Sequence, residues 1–172
     1  KYCLKIILVL ILIISFSITA QTKKLLILGD SISAGYGIKE SENWVNLLEA
    51  SLKRNNFDIE IINSSVSGDT TLGGLFRIKN DLREYSPDYV LVELGGNDAL
   101  RGYPINKIKS NLLKIIDASF AAKANPVIMQ IRIPPNYGKN YVVAFESIYS
   151  QIAEEKNIPM LTFLLEKVAL DK

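Results

Sequence analysis

The strongest limit on this chain is the way short apolar segments alternate with longer segments whose apolar residues fall at helical spacing. Leu25-Leu26-Ile27-Leu28 is unbroken, and a strand that is apolar at every position must be buried on both faces. Residues 59–62, 89–94, 126–131 and 159–163 read as four further strands. Between them, residues 44–55 carry Trp44, Leu47, Leu48 and Leu52 on one helical face, with Ser41 placed to cap it. Residues 72–85 read as helical through Gly73 and Gly74 and stop before Pro87. Ile108, Leu112, Leu113, Ile115 and Ile116 mark a helix from Ile105 to near Ala124. Val142, Phe145, Ile148, Tyr149 and Ile152 mark another over 141–156, and residues 164–170 begin a last one. Strands alternating with helices of this length imply right-handed crossovers and a parallel sheet covered on both sides. The expected fold is α/β: a three-layer α/β/α, flavodoxin-like domain with a five-stranded parallel sheet. Trp44, Phe76 and Phe145 are expected in its core, and Lys107, Lys109 and Lys114 on a solvated helix face.

Residues 1–20 do not follow this pattern. Lys1 and Lys5 flank an apolar run from Ile6 to Ile14 that continues less purely to Ile18, and Ser17-Ile18-Thr19-Ala20 offers small residues ahead of Gln21. The run is about a dozen residues, short of the roughly twenty that span a bilayer, so it reads as a secretory signal peptide. A single membrane anchor is the alternative. The expected organisation is a signal peptide over 1–20 and one domain over 21–172, periplasmic or secreted, with no stable membrane anchor after cleavage. Cys3 precedes the apolar run, which argues against a lipid-anchored amino terminus, and as the only cysteine it excludes an internal disulfide framework and a cysteine zinc site. A net charge of +2 with no basic stripe argues against a nucleic-acid partner. One count outweighs these: the sequence contains no histidine.

Three strand ends carry polar residues for which a core has no use. The first strand runs into Gly29-Asp30-Ser31-Ile32-Ser33, the second into loop 63–71 with Gly68-Asp69, and the third into Gly95-Gly96-Asn97-Asp98. A parallel sheet brings these ends to one edge, where open α/β sheets bind their ligands. Gly29 permits a sharp turn and Ser31 falls where a helix begins, so free N–H groups there favour developing negative charge. Acyl transfer needs a nucleophile and preorganised donors for an oxyanion. Ser31 suits the first role; the Gly68 N–H, the Asn97 side-chain amide and the Ser31 N–H suit the second. Asp30 and Ser31 also fit a plainer reading as turn and cap residues, and Asp69 and Asp98 read as loop-ordering acceptors for backbone N–H groups. Lys39 and Arg101 are nearby in sequence, but nothing singles out a lysine in an apolar setting that could act as a base. Arg101, Tyr103 and Tyr137 fall in loops near the crevice. No cofactor motif or metal cluster appears, and hydrolysis by a serine requires neither.

Gly29-Asp30-Ser31-Ile32, the isolated Gly68 with Asp69, and Gly95-Gly96-Asn97-Asp98 resemble the first three sequence blocks of the SGNH (GDSL-type) hydrolases. Residues 92–102, 129–134 and 136–138 are similar to the secreted branch that holds arylesterases, acyl-CoA thioesterase I and lysophospholipase. The resemblance runs from about Leu25 to Leu170. It implies a serine esterase acting on small-molecule esters, thioesters or lysophospholipids, with Ser31 as nucleophile and Gly68 and Asn97 as oxyanion donors. It also implies a histidine three residues after an aspartate near the carboxyl terminus, and a final helix behind that pair. This sequence stops at Lys172 with Asp171 as its last acidic residue, so the Asp-x-x-His block and the C-terminal helix are missing. The chain as given is therefore expected to be inactive and marginally folded, and its opening on Lys1 points to a sequence cut short. A non-catalytic acyl- or glycan-binding protein on the same fold is the alternative. A nucleotide-binding flavodoxin-like domain is disfavoured, because no glycine-rich phosphate fingerprint follows the first strand.

Overall fold

A computed structural model describes residues 21–166. The expected signal peptide over 1–20 and the end of the expected helix over 164–170 lie outside the described residues. Five strands, β1 (Lys23–Gly29), β2 (Ile59–Asn63), β3 (Tyr89–Glu93), β4 (Asn125–Met129) and β5 (Met160–Leu161), form one sheet in the order β2-β1-β3-β4-β5. Every pairing is parallel. The α-helices among the described residues are α1 (Ser31–Ala34), α2 (Trp44–Arg54), α3 (Thr71–Tyr85), α4 (Gly96–Leu100), α5 (Ile105–Ala121) and α6 (Lys139–Lys156). No helix among them is long and apolar enough to cross a membrane.

The unbroken apolar run behaves as a two-faced strand. Leu26, Ile27 and Leu28 are fully buried, each burial contributing roughly 1.5–3 kcal/mol. Successive side chains point to opposite faces. Leu26 and Leu28 join the large core with Ile78 and Leu82 of α3, Ile108 and Ile115 of α5, and Phe145 and Ile152 of α6. Ile27 packs on the other face with Val45 of α2, Leu91 and Met129. This division follows from chain direction. The chain leaves β1 toward β2 through α2, and α3 then carries it back past β1 to β3. Right-handed crossovers running in opposite directions land on opposite faces of a sheet. The reversal creates a switch point between β1 and β3, the place where open α/β sheets bind ligands. Register brings the strand ends level there, with Ile27 beside Asn63 and Gly29 beside Glu93.

Several local expectations are corrected. Ser41 lies inside a 3₁₀ turn, Glu40–Glu42, and Asn43 caps α2 instead, its side chain accepting the Val45 N–H at 2.9 Å. The helix expected to reach Ala124 ends at Ala121, and Lys123 takes φ 64° as the chain turns into β4. β4 ends at Met129 and β5 spans two residues, because only two positions of this edge pair align, Ile128 with Met160 and Met129 with Leu161. α4 has five residues, too few to display a period. Phe145 is fully buried as expected, but Phe76 is 76% exposed. It lies two residues from both Gly74 and Ile78, which face the core, and hence about 200° round the helix from each. Trp44 is half-buried against the smaller cluster. Lys107 and Lys114 are solvated, whereas Lys109 is half-buried and reaches Gln151 and Glu155 on α6.

Candidate active site

Three polar loops meet at the switch point, and one buried carboxylate joins two of them. Asp30 directly follows β1 and caps α1, its Oδ1 accepting the Ile32 N–H at 3.1 Å. Its Oδ2 accepts the Asn97 side-chain amide at 3.0 Å. An amide nitrogen carries two N–H donors, so Asn97 is oriented through one and keeps the other. Ser31 is half-buried and opens α1. α1 is one turn, so it offers individual N–H groups rather than a macrodipole; the first of these, on Ser31, has no intrahelical acceptor.

The loop after β2 is tied to the same point. The Ser64 and Val66 N–H groups donate to the carbonyls of Ile27 and Gly29 at 2.9 and 3.1 Å, continuing the β2 track past β1. Arg77 of α3 clamps it by donating to Asp69, to Asp81, to both oxygens of Ser64, and to the Gly29 carbonyl. Gly68 takes φ 80°, a conformation costly for a residue with a Cβ, and nothing lies within 4 Å of where a Cβ would stand. The Gly68 carbonyl accepts Arg101 Nη2 at 3.2 Å, which links this loop to the end of α4. Ser31, Gly68 and Asn97 are thus brought to one edge of the sheet by three separate sets of contacts.

The third loop is held from both sides. Asp98 is buried and accepts the Thr71 N–H at 2.8 Å and the Thr71 hydroxyl at 2.6 Å. Asp69 takes the Thr70 N–H at 2.8 Å, so both aspartates are loop-ordering acceptors, as read from sequence. The buried Tyr149 hydroxyl donates to the Leu94 carbonyl at 3.0 Å. Gly95 takes φ 119°, and a Cβ there would stand 2.5 Å from that hydroxyl. Gly95→Ala is therefore expected to destabilise the fold by about 3 kcal/mol, from backbone strain and displacement of the Tyr149 bond. Urea denaturation checks this, and a loss below about 0.5 kcal/mol would refute it.

The site's charges are set by burial. Burial raises the Asp30 carboxyl above its ordinary range, and the charges of Asp69 and Asp98 add to this against the bonds from Ile32 and Asn97. Burial also lifts Glu93, at the end of β3, to about 8, with the Asp30 charge contributing. Sequence reasoning read Asp30 as a turn and cap residue, which its bond to Ile32 bears out, but not its link to Asn97; it saw Glu93 only as part of a strand, and Arg77 not at all. An ionisable residue closing an otherwise apolar strand was the available signal for Glu93. Lys39 is solvated, 3.9 Å from Glu42, and is not in an apolar setting. Tyr103 and Tyr137 are exposed, and Tyr141 donates to the Tyr103 carbonyl at 2.7 Å. Among the described residues, no group of three or more His, Cys, Asp or Glu side chains could hold a metal ion.

The sheet order and the loops at its switch point define an α/β fold of the SGNH hydrolase type. The chain belongs to the GDSL-like Lipase/Acylhydrolase family, whose pattern it matches over residues 27–171. It is 46% identical over 160 residues to an arylesterase of Vibrio mimicus, a match covering 92% of this chain and 80% of that one. It is 44% identical over 151 residues to thioesterase 1/protease 1/lysophospholipase L1 of Escherichia coli (strain K12), covering 88% and 71%. Among solved structures, the psychrotrophic esterase EstA from Pseudoalteromonas sp., inhibited by monoethylphosphonate, is similar with a TM-score of 0.83. The identity there is 43%, over 86% of this chain and 80% of that chain.

Proposed function

We propose that this protein hydrolyses carboxylic esters and thioesters of small molecules, lysophospholipids included, through an acyl-enzyme on Ser31. The Ser31 oxygen attacks the acyl carbon, and the carbonyl oxygen becomes an oxyanion. That oxyanion accepts the Ser31 N–H, the Gly68 N–H and the second N–H of the Asn97 amide. Collapse expels the alcohol or thiol and leaves the acyl group on Ser31, and water then releases it as the carboxylic acid. Donors fixed before the reaction need no reorganisation when charge develops, which makes them effective. A base must take the proton of Ser31 and return it to the departing alcohol or thiol. The family pattern uses a histidine, and none of the 172 residues given is one.

The observation that carries this reading is the Asp30 carboxylate, which joins the turn bearing Ser31 to Asn97 at 3.0 Å. Family membership and relatives named arylesterase and thioesterase/lysophospholipase support the reaction class. The basic and apolar pattern of residues 1–20 supports export to the periplasm or medium. The test uses the product of the complete reading frame with p-nitrophenyl esters and an acyl-CoA thioester. Turnover is expected, together with loss of activity on treatment with an organophosphonate that leaves its adduct on the Ser31 peptide. No turnover of any of these substrates, or an adduct confined to another residue, overturns the proposal.

A further inference from the structure

Beneath the turn that carries Ser31 lies a carboxyl group that the proposed reaction does not use. Glu93 closes β3 beside Gly29 in the register, and it is fully buried. Its Oε2 accepts the Ser33 hydroxyl at 2.6 Å and faces the Asp30 N–H at 3.4 Å. These contacts fall on either side of Ser31 along the chain. A Cβ at Gly29 would stand 2.6 Å from the same oxygen and 2.8 Å from the Ser33 hydroxyl, so the turn is built around the carboxyl. The other oxygen, Oε1, is buried with no hydrogen-bond partner. A buried carboxyl with an orphaned oxygen is costly, and an apolar residue there would fold at less expense.

We propose that Glu93 is a positioning residue for Ser31, holding the Ser33 hydroxyl and the Asp30 N–H and so setting the direction in which the turn presents the Ser31 oxygen. This rests on the reading of Ser31 as the nucleophile. The working form is the neutral acid. As an anion, Glu93 would carry an unpaired charged oxygen next to Asp30; burial first, and then that neighbouring charge, raise its pKa to about 8. Tyr149 on α6, whose hydroxyl burial keeps neutral, lies within reach of the charges of Glu93, Asp98, Asp30 and Glu146, and Asp98 on α4 acts on Asp30. The nearby cation is Arg77 of α3, which reaches the Gly29 carbonyl but is already paired with Asp69 and Asp81. Ionisation of Glu93 therefore adds a second negative charge under the crevice in which an oxyanion is to form, and it opposes that charge.

The test compares Glu93→Met, Glu93→Gln and Ser31→Ala with the wild type, all from the complete reading frame, with kcat taken per phosphonate-titratable site for wild type and the Glu93 variants and per protein chain for Ser31→Ala. Glu93→Met is expected to lower kcat about 10- to 100-fold with KM within about threefold, since a misdirected nucleophile costs rate rather than binding. Glu93→Gln supplies a neutral acceptor and is expected to restore kcat to within about threefold. It is also expected to lose the alkaline decline expected of the wild type near pH 8. Thermal unfolding gives a readout independent of turnover. The folded protein retains a proton that the unfolded carboxyl releases, so this contribution to stability is complete below the ordinary value of 4.5 and lost as pH rises to about 8. Glu93→Gln is expected to lack that fall. Wild-type kcat in Glu93→Met, with Ser31→Ala dead, overturns the role of Glu93 alone. Full turnover by Ser31→Ala overturns the nucleophile reading instead. If Glu93→Met does not fold, pH profiles of Glu93→Gln and wild type that run parallel in both rate and stability overturn the proposal.

Discussion

Ser31→Ala is expected to lower kcat for a p-nitrophenyl ester by about 10⁴-fold or more, while shifting stability by no more than about 0.5 kcal/mol. The two halves come from different parts of the structure. In the proposed reaction the hydroxyl supplies the oxygen that bonds to the acyl carbon, so deleting it removes the acyl-enzyme route. The fold depends little on it, because the capping of α1 falls to Asp30, whose Oδ1 takes the Ile32 N–H. KM is expected to change little, since the alanine variant keeps the surrounding loops and the N–H donors. Steady-state kinetics paired with urea denaturation separate these effects. Retained turnover would remove Ser31 from the mechanism, and a loss of several kcal/mol would show that the hydroxyl is a structural part of the turn.

Asn97→Ala is expected to lower kcat by about 10²- to 10³-fold, the usual cost of deleting one oxyanion donor. Unlike the serine variant, it should also cost stability. Asp30 is buried and would lose the donor to its Oδ2, and an unsatisfied buried acceptor costs about 1–3 kcal/mol. The bond from Asn97 lowers the Asp30 pKa against the burial that raises it, so removing the bond moves that pKa further up. The sign follows. A raised carboxyl in the folded state contributes stability that is lost as pH rises through it, so the variant should lose stability over a window that extends to higher pH than in wild type. Denaturation midpoints across pH check this, and a variant with wild-type kcat would remove Asn97 from the oxyanion site.

Much of the architecture was legible because burial leaves a local trace. A strand buried on both faces has to be apolar throughout, as Leu25 to Leu28 are, and helices packed on a sheet repeat their apolar residues as α5 and α6 do. Where the trace is short or the contact distant, the reading failed. α4 has five residues and no period, and the two-residue β5 is limited by its partner rather than by its own composition. Phe76 is apolar in type but lies on the outer side of α3, a matter of phase that one aromatic residue does not reveal.

The site divides in the same way. Ser31, Gly68 and Asn97 could be selected from the sequence because each follows a recognisable strand, and a parallel sheet sends all three ends to one edge. What joins them belongs to the tertiary structure. Asp30 and Asn97 are 67 residues apart, Glu93 and Ser33 are 60 apart, and Arg77 reaches Gly29 across 48. Such pairs arise only when strand order places β1 beside β3 and register sets Gly29 against Glu93. Periodicity reports how each segment meets its surroundings, so the sequence by itself determined the layers, the order of elements and the polar strand ends. Strand order and register decided which of those polar groups bond to one another, because they couple residues that no local pattern relates.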